Sequence, residues 1–77
     1  MMVEAFVLIN VNLGCETEIM RGLRKLHGFK EVFYVWGDYD IIAKVSARTI
    51  DELNQIVVSV RNLRNVRATS TMITRKL

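Results

Sequence analysis

Proline is absent from this 77-residue chain, and cysteine and histidine occur once each, as Cys15 and His27. One cysteine excludes a disulfide within the chain, and the pair cannot supply the four ligands of a structural zinc site. Long apolar runs are also missing, since the run from Ala5 to Ile9 is far shorter than the roughly 20 residues of a membrane helix. With no signal-peptide pattern either, the sequence predicts a cytoplasmic protein without a membrane segment, metal or cofactor.

Apolar residues are abundant for so short a chain. They make up 51% of the sequence, and the mean hydropathy is +0.20. A domain of this size buries only about 60% of the surface that its unfolded chain exposes, so we expect some apolar surface to be buried against other subunits. The net charge is +3, but the basic residues are scattered, which is not the pattern of a nucleic-acid-binding stripe. We therefore expect no direct, specific DNA binding.

The first part of the chain has the pattern of a strand followed by a helix. Residues 2–12 carry apolar side chains on both faces of a strand. Residues 16–26 space their apolar side chains as a helix does, with acidic residues in the first turn and basic residues in the last. Gly28 is predicted to cap this helix in a left-handed conformation.

A hairpin is predicted next. Residues 30–36 and 39–46 are rich in β-branched and aromatic residues, and Gly37-Asp38 between them is typical of a two-residue turn. This register places Tyr34 opposite Ile41 and Glu31 opposite Lys44.

The last part of the chain predicts a second helix and a fourth strand. Thr49 and Glu52 form a capping box, Asn65 is expected to close the helix, and residues 66–74 form the strand. The order βαββαβ predicts an α+β, ferredoxin-like domain: a four-stranded antiparallel sheet of order 4-1-3-2 with both helices on one face. The other sheet face is left bare, so two subunits are expected to pack sheet against sheet as a dimeric α+β barrel.

No arrangement of residues makes a convincing catalytic site. His27 is interpreted as a residue at a helix end, Cys15 as an inert thiol and Asp38 as a turn residue. Asp40 is more informative, because a carboxylate just inside an apolar strand costs free energy unless it has a partner. The third strand carries only Tyr39 as an aromatic residue and lacks the motif of RNA-recognition modules that share this fold.

Three segments resemble one family. The run VWGDYDIIAKV (35–45) resembles the G-x-Y/F-D hairpin of the effector domain of Lrp/AsnC transcription regulators, known as the RAM domain. The upstream run AFVLINVNLGCETEI is similar to its first strand and helix start, and LRNVRATSTMI is similar to its ending. The resemblance implies a single RAM-like domain over residues 1–77, without the helix-turn-helix domain that the family's regulators carry.

The resemblance also implies partners and a site. RAM domains form homodimers that assemble into rings, commonly octamers, and bind a free amino acid between dimers; full-length Lrp/AsnC regulators are further expected partners. Matching motif positions give these ligand-binding candidates: Ala5, Tyr34, Trp36, Gly37, Asp40, Ile50, Met72, Ile73 and Thr74. Trp36 stands where the family often has a small or hydroxyl residue.

The favoured function is thus an amino-acid-sensing and oligomerisation module in transcription regulation, and not an enzyme. Two alternatives stay open. One is a small dimeric α+β barrel enzyme of the monooxygenase or isomerase type, which usually needs a histidine or several polar groups inside the barrel. The other is an ACT-like amino-acid-binding domain, which has the same βαββαβ order.

Overall fold

A computed structural model describes residues 2–76 and has the predicted element order βαββαβ. Its elements are β1 (Val3–Val11), α1 (Glu16–Arg24), β2 (Phe29–Tyr34), β3 (Ile41–Ala47), α2 (Ile50–Arg61) and β4 (Val66–Ile73). The four strands form one antiparallel sheet in the order β2-β3-β1-β4, which confirms the predicted topology. None of the helices within residues 2–76 is long and apolar enough to cross a membrane.

Both helices pack on one face of the sheet. Alternate residues of β1 and β3 point to that face, as the period-2 pattern of the sequence requires. The core they form with the helices contains Ala5, Val7, Ile9, Ile41, Val45, Ile19, Leu23, Leu53, Ile56 and Val60. Burying one aliphatic side chain of this kind contributes about 1.5–3 kcal/mol, so this single layer holds the helices to the sheet.

The opposite face of the sheet, called the bare face below, is covered by no element of residues 2–76. The register places its apolar side chains next to one another across four strands: Phe6, Leu8, Phe33, Ile42 and Met72. Glu31 and Lys44 are paired on the same face toward the β2 edge. The bare face therefore carries apolar side chains on all four strands together with one charged pair, a composition that suits a contact between subunits.

The second helix begins as predicted but ends earlier. The Thr49 hydroxyl accepts a hydrogen bond from the Glu52 N–H at 3.1 Å, and the Glu52 carboxylate accepts one from the Arg48 N–H at 3.2 Å. Helix α2 stops at Arg61, so the expectation that Asn65 closes it is wrong. Asn65 has φ 74° and lies in the following turn, where its backbone carbonyl accepts from Asn12 at 2.9 Å.

The first helix is also shorter than predicted, and Gly28 has a different role. Helix α1 ends at Arg24, and its C-cap is Lys25 in a right-handed conformation. Gly28 has φ 96° and enters β2, where a Cβ would lie 2.7 Å from the Ile56 side chain and 2.9 Å from the Ser46 carbonyl oxygen. The glycine is thus required for the approach of this turn to α2 and β3, and not for capping.

The hairpin has the predicted register with shorter strands. Tyr34 is paired with Ile41 and Glu31 with Lys44, but β2 ends at Tyr34 and β3 begins at Ile41, two residues inside the predicted bounds. The loop between them is therefore longer than two residues. The register also shifts between Phe29 and Glu31, which leaves Lys30 as the extra residue of a bulge that the sequence did not indicate.

Candidate functional site

Asp40 ties the hairpin to the central strand. Its backbone N–H donates to the Ile9 carbonyl at 3.0 Å, and its backbone carbonyl accepts from the Val35 N–H at 3.0 Å. Its carboxylate Oδ2 accepts a hydrogen bond from the Val11 N–H at 2.9 Å. The partner that this acid was expected to need is thus a backbone N–H of β1, and the carboxylate continues the β1–β3 pairing where the hairpin leaves the sheet.

The hairpin tip is open and aromatic. Gly37 has the positive φ expected of it, 134°, and a Cβ there would meet nothing within 4 Å. Trp36 is 99% exposed and Tyr34 is 52% exposed. Leu13, in the loop after β1 at this same end of the sheet, is also 99% exposed. These exposed apolar side chains lie at one end of the sheet, and an exposed apolar surface of this kind is typical of a contact with another molecule.

We call Tyr34, Trp36, Gly37 and Asp40 the hairpin group. Leu13 lies at the same end of the sheet, although the sequence analysis did not select it. The sequence did contain a signal for Leu13. This leucine stands between Asn12 and Gly14, in the loop that connects the first strand to the first helix, where an apolar side chain has no core to enter.

The remaining candidates lie at the other end of the sheet. We call Ala5, Ile50, Met72, Ile73 and Thr74 the opposite-end group. Ala5 pairs with Ile73 across β1 and β4, and Thr74 donates to the Glu4 carbonyl from its N–H at 2.9 Å and from its hydroxyl at 3.1 Å. Ile50 opens α2, which begins at this end. Ala5 itself is 0% exposed, so it can shape a pocket wall from below but offers no surface to a ligand.

The structure does not bring the two groups together within one subunit. Asp40 is bonded to Ile9, four residues along β1 from Ala5. At about 3.3 Å per residue, the two groups are therefore separated by roughly 13 Å along the sheet. Within one subunit the two groups of candidate residues therefore lie at opposite ends of the sheet.

The family model and the similar solved structures indicate the same family. The model of the Lrp/AsnC ligand binding domain matches residues 4–76. Among solved structures, FFRP-DM1 is 36% identical with a TM-score of 0.90, over 95% of this chain and 99% of that chain. AsnC of E. coli is 25% identical with a TM-score of 0.91, over 97% of this chain and 52% of that chain.

Curated relatives include an enzyme. Homocitrate synthase of Saccharolobus solfataricus is 45% identical over 60 residues, which cover 78% of this chain and 13% of the enzyme. The chain thus spans about 13% of the length of such relatives, and most of the enzyme lies outside the matching segment.

Proposed function

The chain belongs to the Lrp/AsnC ligand-binding domain family, and from that membership we propose that it is an amino-acid-sensing and oligomerisation module whose ligand binds between subunits. The observation that carries this proposal is the division of the candidate residues into two half-sites at opposite ends of one subunit. A pocket made from both groups needs the hairpin group of one copy and the opposite-end group of another.

The first level of assembly is a dimer through the bare face. Phe6, Leu8 and Ile42 lie at the centre of that face, and two such faces packed together form a dimeric α+β barrel. A stable contact of this kind buries about 1,200 Å² or more in total. The same chemistry explains why a 77-residue chain carries apolar residues on both sides of its sheet.

The second level is the contact between half-sites. The hairpin group and the opposite-end group are different surfaces, so a contact between them is heterologous and closes into a ring when the rotation per subunit allows it. Leu13 and Trp36 on one side, and Ile50 and Ile73 on the other, supply exposed apolar area for that contact. We infer a ring of dimers with the effector at each contact.

The hairpin group suits the ammonium end of an amino acid. The hairpin group contains one carboxylate, that of Asp40, and no cationic side chain. Oδ2 of Asp40 is engaged with β1, which leaves Oδ1 to accept from a ligand ammonium. The open backbone at Gly37 allows close approach of the ligand's polar groups.

The match to homocitrate synthase favours a second candidate for the partner. The 45% identity to a small segment of that enzyme exceeds the 25% identity to AsnC. In this version the module is still a sensor and carries no catalysis of its own. Its assembly surfaces would then bind an enzyme that bears a similar domain. In the first candidate, the same surfaces bind full-length Lrp/AsnC regulators.

One experiment tests the proposal. Each protein amino acid is added separately to the purified chain, and thermal midpoint and light-scattering mass are measured on the same samples. A specific effector at about one hundred times its Kd stabilises the folded state by about 2.7 kcal/mol, and the mass is a multiple of the 8.9 kDa chain. A monomer whose midpoint no amino acid raises would contradict the proposal.

A further inference from the structure

The two edge strands of the sheet, β2 and β4, differ in how open they are to further strand pairing. An edge strand has backbone N–H and C=O groups without partners, and proteins block such edges with charges, bulges or short strands. Strand β2 is blocked in this way, because it has six residues, carries Lys30 and Glu31, and is bulged at Lys30. Strand β4 has eight residues, keeps one register with β1 over residues 68–73, and has no charge and no proline over residues 68–74.

The register shows which backbone groups of β4 are unpaired. Thr74 donates from its N–H to the Glu4 carbonyl, so this residue and every second residue before it bond to β1 in the alternating antiparallel pattern. The N–H and C=O groups of Thr69, Thr71 and Ile73 therefore point away from the sheet. These groups follow one another along a single edge, as the pairing of a further strand requires.

The proposed dimer leaves this edge open. Two sheets that pack face to face lie about 10 Å apart, whereas paired strands lie about 4.8 Å apart within one sheet. The unpaired groups of β4 point sideways in the plane of the sheet, and the bare face points perpendicular to it. Pairing at the β4 edge thus depends neither on the dimer nor on the amino-acid site.

Basic residues stand at both ends of the uncharged stretch. Arg67 precedes it, Arg75 and Lys76 follow it, and all three are exposed. At the first end, Arg61 lines a concavity together with Arg67 and Thr69, and no carboxylate among the described residues lines it. Pairing of β4 with β4 of a second copy, in either direction, would bring basic residues together, and like charges at cross-strand positions are destabilising. The charge pattern therefore favours a strand of another protein with acidic ends.

We propose that the β4 edge binds an extended segment of a partner protein, with an uncharged β-branched centre and an acidic residue at each end. The segment adds a strand to the sheet, and its backbone pairs with Thr69, Thr71 and Ile73, which gives affinity without a deep pocket. Its β-branched side chains pack beside these three β-branched residues. Its carboxylates meet the basic residues at both ends of the stretch.

The test is a fluorescence anisotropy titration of the intact protein with a labelled, end-blocked peptide as long as residues 68–74. Threonine and valine alternate in its centre, and glutamate stands at both ends. We expect saturable binding that weakens about tenfold when both glutamates are replaced by lysine at low salt. Absence of saturable binding, or equal binding of the lysine peptide, would overturn the proposal.

Two N-methylated peptides test the backbone pairing on the unaltered protein. One carries N-methyl groups on its odd positions and the other on its even positions. Because alternate residues of the added strand bond to β4, one peptide should lose binding and the other should keep it. Equal behaviour of the two peptides would overturn the pairing.

Thr71→Pro is the matching change on the protein. It removes the central unpaired N–H, and an edge strand tolerates proline where its N–H points away from the sheet. The variant should keep its light-scattering mass and bind the glutamate peptide about tenfold or more weakly. Arg67→Gln should also weaken the peptide, whereas the control Arg24→Gln, exposed on α1, should not. A lower mass of Thr71→Pro would show that β4 joins copies of this chain and would overturn the assignment to a partner protein.

Equal weakening in Arg24→Gln and Arg67→Gln would also overturn the assignment, because the peptide would then respond only to net charge.

Discussion

Replacing Asp40 separates two roles of a single carboxylate, one structural and one proposed. One role is visible in the fold, where Oδ2 accepts the Val11 N–H at 2.9 Å. The other is proposed, the charge that meets a ligand ammonium. Asp40→Ala removes both, whereas Asp40→Asn keeps an oxygen that can accept from Val11 and removes the charge.

The magnitude for Asp40→Ala follows from the hydrogen bond. The Val11 N–H is part-buried, and leaving such a donor without a partner costs about 1–3 kcal/mol. In a domain of this size each kcal/mol lowers the thermal midpoint by about 4–8 °C, so the ligand-free variant should melt about 4–24 °C below the wild type. Asp40→Asn should melt close to the wild type, because its acceptor remains.

Ligand affinity should depend on the negative charge of Asp40 and not on the stability of the variant. A hydrogen bond to a charged group contributes about 1.5–3 kcal/mol, so both variants should bind the amino-acid effector at least about tenfold more weakly. Calorimetry gives the affinity and differential scanning fluorimetry the midpoint, with Asp38→Asn as the matched control in the exposed turn. Wild-type affinity in Asp40→Asn would refute the proposed ligand contact. A wild-type midpoint in ligand-free Asp40→Ala would refute the structural role.

Other consequences can be measured on the same protein. Ile42→Glu places a charge at the centre of the bare face and should give a monomer by sedimentation velocity, whereas the wild type should be a dimer or larger; a monomeric wild type would contradict the assembly. Gly28→Ala should lower the free energy of unfolding by about 1–3 kcal/mol, because Gly28 has a left-handed conformation and its Cβ would lie 2.9 Å from the Ser46 carbonyl oxygen. In the control Gly14→Ala the Cβ would meet nothing within 4 Å, so the loss should be smaller. Equal losses would refute the close-approach argument. Thr49→Ala should cost about 1 kcal/mol through the lost helix cap, read from urea unfolding; no change would argue against that cap. The 77-residue chain should bind DNA only weakly and lose that binding as salt rises, so a salt-resistant footprint would contradict our reading of its scattered charge.

Sequence patterns predicted the order of the elements because each pattern is set by local geometry. The alternation in β1, the capping box at Thr49 and the hairpin signal at Gly37 all appear in the structure. The bulge at Lys30 could not be predicted from the sequence. An extra residue in one strand is defined by its pairing with the partner strand, and the apolar pattern of β2 alone is compatible with more than one register.

The candidate site was predictable only in part. An acid inside an apolar strand signalled that Asp40 has a partner, but the donor, Val11, belongs to a strand 29 positions away and cannot be named from local sequence. The separation of the two half-sites follows from the antiparallel order, because the tip of one hairpin and the end of β4 lie at opposite ends of the sheet. A family motif identifies candidate residues but does not show at which end of the sheet each residue lies.

The hydrogen bonds from Thr74 to the Glu4 carbonyl have a consequence for how such a domain is joined to other proteins. They place the start of β1 and the end of β4 side by side, so the polypeptide enters and leaves the fold at the same point. A host protein can then accommodate the domain at either terminus or within a surface loop without separating its own flanking segments. This geometry is compatible with the partial matches found, in which similar domains make up 52% of the AsnC chain and 13% of homocitrate synthase.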